Sequence, residues 1–562
     1  TGNFINNAGA SALSTTDAGA TDRWIVYSND PSANTFGSLS SGNLAYWGST
    51  YATLAPASVG SGNRYVFALG TQPVNATVAT TDASKTYGAA AMDLSSYVSV
   101  SVPSSSSGPY LTSASSSYTM ADLFSALPTI ASLGNTTTAS VASGPYAITA
   151  SGGTVKSDFT VTYSNVGLLS ITPKPLGLTG TFTGSKAYDG NTAVTVNATG
   201  IGYTGLINGD SVSVSGVTGT FDTRNVGTNK TITLSGATLG GTNASNYALD
   251  TASSTTGTGT ITQQSSVTWV GTANGNWSTA ANWALTSDLS KTGALPDGNN
   301  VALAIIPSTF TATVTADTAN AYTGKVQING GTLAVGTENY LGTAPGTAVA
   351  DAITLNGGTL QATNTLTLSA TRGITLGVSG GTFAVDASKS LSYAGVIAGT
   401  GGLTKSGSGT MTLSGANTYS GGSTISAGSV KVGISSVGSV GAVTSGALGT
   451  GTATVSSGTA LDMNGMTIAN ALSVSGTGIS SSSGSLFNTA ATAASVTGPI
   501  TLAGDSTFIS TPGLTLATVN GGAYSLAVTA STAAGTGDIT LDRVTGGVFV
   551  LFGLKLVVAE PS

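Results

Sequence analysis

One short phrase returns through the second half of this chain and limits what it can fold into. It reads Gly-Gly-Thr-Leu-Ala-Val at 330–335, Gly-Gly-Thr-Leu-Gln-Ala at 357–362, Gly-Gly-Thr-Phe-Ala-Val at 380–385 and Ala-Gly-Ser-Val-Lys-Val at 427–432, at intervals of 27, 23 and 47 residues. The last interval is close to twice the one before it. A turn followed by a short alternating strand, repeated every 20–30 residues, is the mark of a stacked solenoid. A single copy cannot bury its apolar face, so neighbouring copies must stack. The repeat predicts a rod.

Composition decides between such a rod and low-complexity disorder. Only 7% of the 562 residues are charged, and 79 are glycine; an ordinary globular chain carries about 25% charged residues. Disorder needs low hydrophobicity and high net charge. Here 40% of residues are hydrophobic and the net charge is −6. The apolar residues are Val, Ile and Leu in short alternating runs, which is strand material. The expected fold class is all-β, with tandem β-sandwich-like modules followed by a right-handed parallel β-helix. The 16 Lys and Arg are scattered, which argues against nucleic-acid binding through phosphate neutralisation. The chain has no cysteine and no histidine. It therefore lacks disulfides, thiolate metal sites, and the commonest general base and transition-metal ligand. No apolar run approaches the ~20 residues of a membrane-spanning helix. Thr1 opens polar sequence without signal-peptide character, and the expectation is a trimmed piece of a longer protein.

Five regions are expected. Residues 1–70 form an aromatic-rich cap or the end of a β-helix, from Arg23-Trp-Ile-Val-Tyr27 and Arg64-Tyr-Val-Phe67. Residues 71–173 and 174–262 read as tandem relatives. Ser84-Lys-Thr-Tyr-Gly88 matches Ser185-Lys-Ala-Tyr-Asp-Gly190, Tyr146–Gly152 matches Lys230–Gly236, and each region closes on Ile-Thr, at 171–172 and 261–262. A single helix is predicted at Met120–Leu127, stopped by Pro128. Residues 263–300 hold Trp269, Trp277 and Trp283 and read as a lid on the solenoid, with a sugar-stacking platform as the alternative. The β-helix occupies 301–562, about eleven rungs at ~23 residues each.

The stretch from Gly401-Gly-Leu-Thr-Lys-Ser-Gly to Ala427-Gly-Ser-Val-Lys-Val-Gly433 resembles the autotransporter-associated β-strand repeat of secreted bacterial passengers. The segment Lys186-Ala-Tyr-Asp-Gly190 resembles the YDG module, 71–173 resembles the related MBG module, and 1–70 is similar to regions of filamentous-haemagglutinin-like exoproteins. This resemblance implies an extracellular or cell-surface Gram-negative protein, exported by a type V route through an outer-membrane transporter. Neither the amino-terminal secretion domain of the two-partner exoproteins nor a carboxy-terminal barrel is visible in the sequence.

Chemistry is sparse. Within 301–562 the carboxylates are Asp317, Glu338, Asp351, Asp386, Asp462, Asp505, Asp538, Asp542 and Glu560, mostly one per rung. A glycosidase pair needs carboxyls within ~5–10 Å; Asp538 and Asp542 are the nearest approach to one. Asp189-Gly-Asn191 and Asp297-Gly-Asn299 could offer oxygens to calcium, but turn formation explains Asp-Gly directly. A Lys–Asn crosslink at Lys186 lacks an identifiable buried acid. The expectation is a non-enzyme with no cofactor and no metal, acting as a structural or adhesive surface protein. Its partners would be itself, as a homopolymer, or a host or cell-surface glycan or protein. The candidate subunit-pairing strand is Val548, Phe549, Val550, Leu551, Phe552, Leu554, Leu556, Val557 and Val558, the most apolar stretch of the chain. The candidate receiving edge is Phe4 and Ile5. A strand edge at each end of a stack would allow head-to-tail polymerisation into filaments. A secreted carbohydrate-binding protein or carbohydrate-active enzyme is the alternative.

Overall fold

Alternating apolar residues and glycine turns give an almost entirely β structure. The computed structural model of the protein describes residues 2–14, 22–72, 74–104, 108–111, 118–197, 200–250, 256–480, 483–510, 513–530 and 539–552. The chain forms two compact units. One comprises Thr1–Gly180, Thr199–Val217 and Gly236–Thr255; the other comprises Thr181–Ala198, Thr218–Ser235 and Thr256–Ser562.

The first unit opens with parallel coils. Ile25–Ser28 pairs in parallel with Arg64–Phe67, and parallel bridges join Ile5 to Thr35, Tyr46 to Val66 and Leu44 to Leu111. Their core is aromatic: Tyr65 and Phe67 are fully buried, with Phe4, Trp24, Phe36, Trp47 and Tyr110 packed around them. The rings meet mainly edge to face, as ring quadrupoles favour; Trp24 and Phe36 lie 5.0 and 5.1 Å from Tyr65. Burial pushes the Tyr65 phenol up to about 12, and its hydroxyl donates to the Leu39 carbonyl.

Two tandem regions follow, and their strand pairing repeats. In the first, Val74–Thr80 lies parallel to Phe159–Ser164, and Ala83–Thr86 lies parallel to Leu168–Thr172. In the second, Lys174–Thr179 lies parallel to Tyr247–Leu249, and Thr183–Ala187 lies parallel to Thr256–Thr262. Each closing strand also takes an antiparallel neighbour, Tyr146–Ala147 in one and Gly227–Ser235 in the other. The amide of Tyr87 donates to Thr172 O, and that of Tyr188 to Thr262 O, both at 2.9 Å. The matched residues 84–88 and 185–190 thus occupy one topological position.

The predicted helix shrinks to a single turn, Met120–Leu123, and Phe124–Ala126 is instead a strand antiparallel to Thr154–Val155. Thr119 and Asp122 form a capping box that starts the turn. Phe124 then adopts extended backbone and is buried beside Leu123, Ala76 and Val78. Tertiary burial outweighs the local helical preference of Met-Ala-Asp-Leu.

In the second unit the solenoid runs as stacked parallel strands. Counted along one face among the described residues, twelve strands follow each other from Gly275–Asn276 to Ile539–Phe552. Eleven of them lie within the predicted 301–562 region, and eleven steps of ~4.8 Å give a stack of about 50 Å. The ladder starts before residue 301: Val267–Trp269 pairs in parallel with Leu303–Ile306, and Gly275–Asn276 with Thr313–Ala316.

The first three glycine phrases stack in register, with Thr332 opposite Thr359 and Thr359 opposite Thr382. The fourth does not join them. Gly428–Val432 pairs with Thr410–Leu413 and Thr459–Asp462 on a different face, and the successor of Thr382 is Thr404. The 47-residue interval is therefore not two periods of one column. Every corner of the coil meets the same demand for a tight turn, so the phrase recurs at more than one corner. At Gly380 φ is +69° and a Cβ would sit 2.6 Å from Gly402 O; at Gly428 φ is +67° and a Cβ would sit 2.3 Å from Gly409 O. Backbone stacks on backbone there, and only glycine fits.

Candidate functional site

The three tryptophans follow one another through a hairpin and the first solenoid rung, so their rings converge inside the coil. Trp269, Trp277 and Trp283 are all buried. Trp283 packs 5.2 Å from Trp269 and 4.6 Å from Trp277, and Phe310 and Tyr322 extend the cluster. Trp283 Nε1 donates to Trp277 O and Trp277 Nε1 to Pro296 O, while Trp269 Nε1 is buried without a partner. A sugar platform needs an open ring face; these rings are buried in the core of the first coil.

The two Asp-Gly-Asn turns bind the chain itself. Lys186 Nζ donates to Asp189 Oδ1 at 2.7 Å, to Asn191 Oδ1 at 2.8 Å, and to the carbonyls of Asn191 and Ala193. The oxygens weighed as calcium ligands therefore surround an ammonium group. Asp297 accepts from Arg224 at 2.9 Å and from Asn300 Nδ2 at 2.6 Å. Tyr188 lies beside both turns; burial, with Asp297 adding, pushes its phenol up to about 12.

Six of the solenoid carboxylates are separately engaged. Asp317 accepts from Ser278, Asp351 pairs with Lys325, Asp386 accepts from Gln361, and Asp505 accepts from the Ser525 amide. Glu338 pairs with buried Arg372 at 2.6 Å. Asp462 accepts from Thr489 Oγ1 at 2.6 Å and lies 3.5 Å from Lys431. Among the described residues no three acidic groups converge on a metal-sized space. Asp538 and Glu560 lie outside the described residues.

One charged residue points into the core of the coil. Lys405 occupies an inward position between Phe383 and Ile425 and is fully buried. Its ammonium donates to the carbonyls of Ser406, Gly407 and Ala427 at 2.9, 2.7 and 3.1 Å. Burial pulls its pKa down to about 8. The strict alternation in Leu403-Thr-Lys-Ser406 was the available signal, since it puts Lys405 on the same side as Leu403.

Of the two candidate pairing segments, one is a strand and the other a single bridge. Val548 through Phe552 belong to Ile539–Phe552, paired in parallel with Leu514–Ala530. Among the described residues its opposite edge has no partner strand. Val548 is 62% and Val550 40% exposed. Leu554, Leu556, Val557 and Val558 lie outside the described residues. In the first unit Phe4 O and Asn6 N bond to Thr35, Phe4 packs into the aromatic core, and Ile5 is 65% exposed. A neutral concavity of about 580 Å³ is lined by Ser185, Thr195, Asn197, Asn229, Thr258 and Thr260, among others.

Comparison with known proteins finds a YDG domain over residues 172–258 and passenger-associated-transport repeats at 311–335 and 403–432. No curated protein and no solved structure matches the chain. No helix among the described residues is long and apolar enough to cross a membrane. The transport repeats are those of autotransporter passengers. They indicate export through an outer-membrane transporter to the cell surface or extracellular space of a Gram-negative bacterium.

Proposed function

We propose that the chain is a non-catalytic structural or adhesive element of the bacterial surface, whose subunits associate head to tail by strand pairing at their ends. The observation that supports this reading is the edge of the long ladder: Ile539–Phe552 offers exposed Val548 and Val550 on a strand that, among the described residues, is paired on one side. An exposed apolar edge strand is a template for another chain. Ile5 likewise forms a parallel bridge to Thr35, the sense that a continued stack requires. Electron microscopy tests the proposal: the intact chain should form fibres, and a chain lacking 548–562 should give isolated particles. Fibres unchanged by the deletion would end it.

The neutral hydroxyl- and amide-lined concavity favours carbohydrate binding as a second reading. A glycan array separates the two: binding lost in Ser185→Trp, which fills the concavity, supports a lectin. Release of reducing sugar would overturn the non-catalytic reading.

A further inference from the structure

The tandem modules do not bury all their apolar faces within themselves. Each supplies two lobes, defined by its two parallel strand pairs. In the first module these are Val74–Thr80 with Phe159–Ser164, and Ala83–Thr86 with Leu168–Thr172. In the second they are Lys174–Thr179 with Tyr247–Leu249, and Thr183–Ala187 with Thr256–Thr262. One continuous core joins the second lobe of the first module to the first lobe of the second: Tyr87, Ile148, Leu169 and Ile171 pack with Leu176 and Tyr247. Polar contacts cross the same junction. Tyr87 Oη donates to Asp210 at 3.0 Å, Tyr247 Oη donates to the same carboxylate, and Val141 N donates to Asn246 Oδ1 at 2.9 Å. Gly88 turns the chain at the junction with φ +74°, a conformation that favours glycine.

The offset repeats one module later, in the other compact unit. The second lobe of the second module bonds to the segment after it: Tyr188 Oη to Leu295 O at 3.1 Å, Arg224 to Asp297, and Val226 N to Asn300 Oδ1 at 2.8 Å. A Cβ on Gly190 would lie 2.1 Å from Gly293 O. The equivalent tyrosines, Tyr87 and Tyr188, thus both reach forward onto the next region. The first lobe of the first module has no module before it in this chain; the inserted turn and strand cover it instead, burying Leu123 and Phe124 against Ala76 and Val78.

We infer that the cooperative folding unit of this region is the junction between consecutive modules, the second lobe of one with the first lobe of the next, and that the 174–262 module is not an autonomous domain. Its two lobes belong to different compact units. Each lobe is a docking surface whose partner is a lobe of the neighbouring module or the segment that replaces it.

Amide hydrogen exchange on the full chain tests this, because subglobal opening is read residue by residue. Leu176→Ala should speed exchange about tenfold or more at 83–87 and 168–172, and leave 183–187 and 256–262 at wild-type rates. Ile232→Ala, buried in the second lobe of the same module, should do the reverse. If Leu176→Ala is not recovered folded, Tyr247→Phe keeps the ring, removes the bond to Asp210, and carries the same expectation. Exchange that rises across both lobes of 174–262 together, that spares 83–87 and 168–172 in the Leu176 and Tyr247 variants, or that rises everywhere at once overturns the inference.

Discussion

Lys405 shows how one side chain ties a solenoid corner together. Its stem continues the apolar column from Phe383 to Ile425, and its ammonium joins three carbonyls at the turn. Because its folded pKa, about 8, lies below the ordinary 10.5, the unfolded chain binds the extra proton between these values. Stability should therefore rise with pH from about 8 to 10.5. Burial holds the phenols of Tyr65, Tyr188 and Tyr247 up at about 12, so stability should fall again above pH 10. Urea unfolding should accordingly show a midpoint that climbs from pH 7 to about 10 and then drops. In Lys405→Met the climb should shrink to the part that buried Lys85 leaves; a climb unchanged in that variant would refute the assignment. The lid gives a second residue-scale prediction. Trp283 Nε1 is bonded and Trp269 Nε1 is not. Trp283→Phe should cost about 1 kcal/mol more stability than Trp269→Phe, read as the difference in denaturant midpoints.

At the scale of elements, glycine corners set the fold's tolerance. Gly428 has positive φ and backbone carbonyls where a Cβ would stand, whereas Gly458 has φ +78° and open space. Gly458→Ala should cost about 1 kcal/mol, the conformational term alone, and Gly428→Ala distinctly more, because the stacked backbones must also separate. Equal costs would mean the corners have slack. The strands themselves were legible from alternation, as in Gly381–Val385 and Leu403–Ser406. The helix at Met120–Leu127 was not, because its last residues are claimed by Phe124's place in the core and by pairing with Thr154–Val155. A local pattern carries no term for a partner thirty residues away.

At the scale of the whole molecule, the tandem kinship of 71–173 and 174–262 was readable from Ser-Lys-x-Tyr and the Ile-Thr closures, and the strand pairing repeats accordingly. How the lobes share cores was not readable. Alternation says which side of a strand is apolar, but any of several apolar faces could meet it. The same limit holds for the candidate ends. The apolar run Val548–Val558 stood out by composition, whereas its placement on the last described rung of a long ladder, exposed at Val548 and Val550, came only with the structure. By itself the sequence determined the period, the β class, the turn positions and the modular kinship, since these follow from φ preferences and inward–outward alternation along a few neighbouring residues. The tertiary structure alone decided that the fourth glycine phrase lies on another face, that the Lys405 ammonium finds three carbonyls at the turn, that the tryptophans are core, and that the two lobes of 174–262 fall in different compact units. Each of those is a choice among long-range partners that compete on burial and close backbone approach, which no local window encodes.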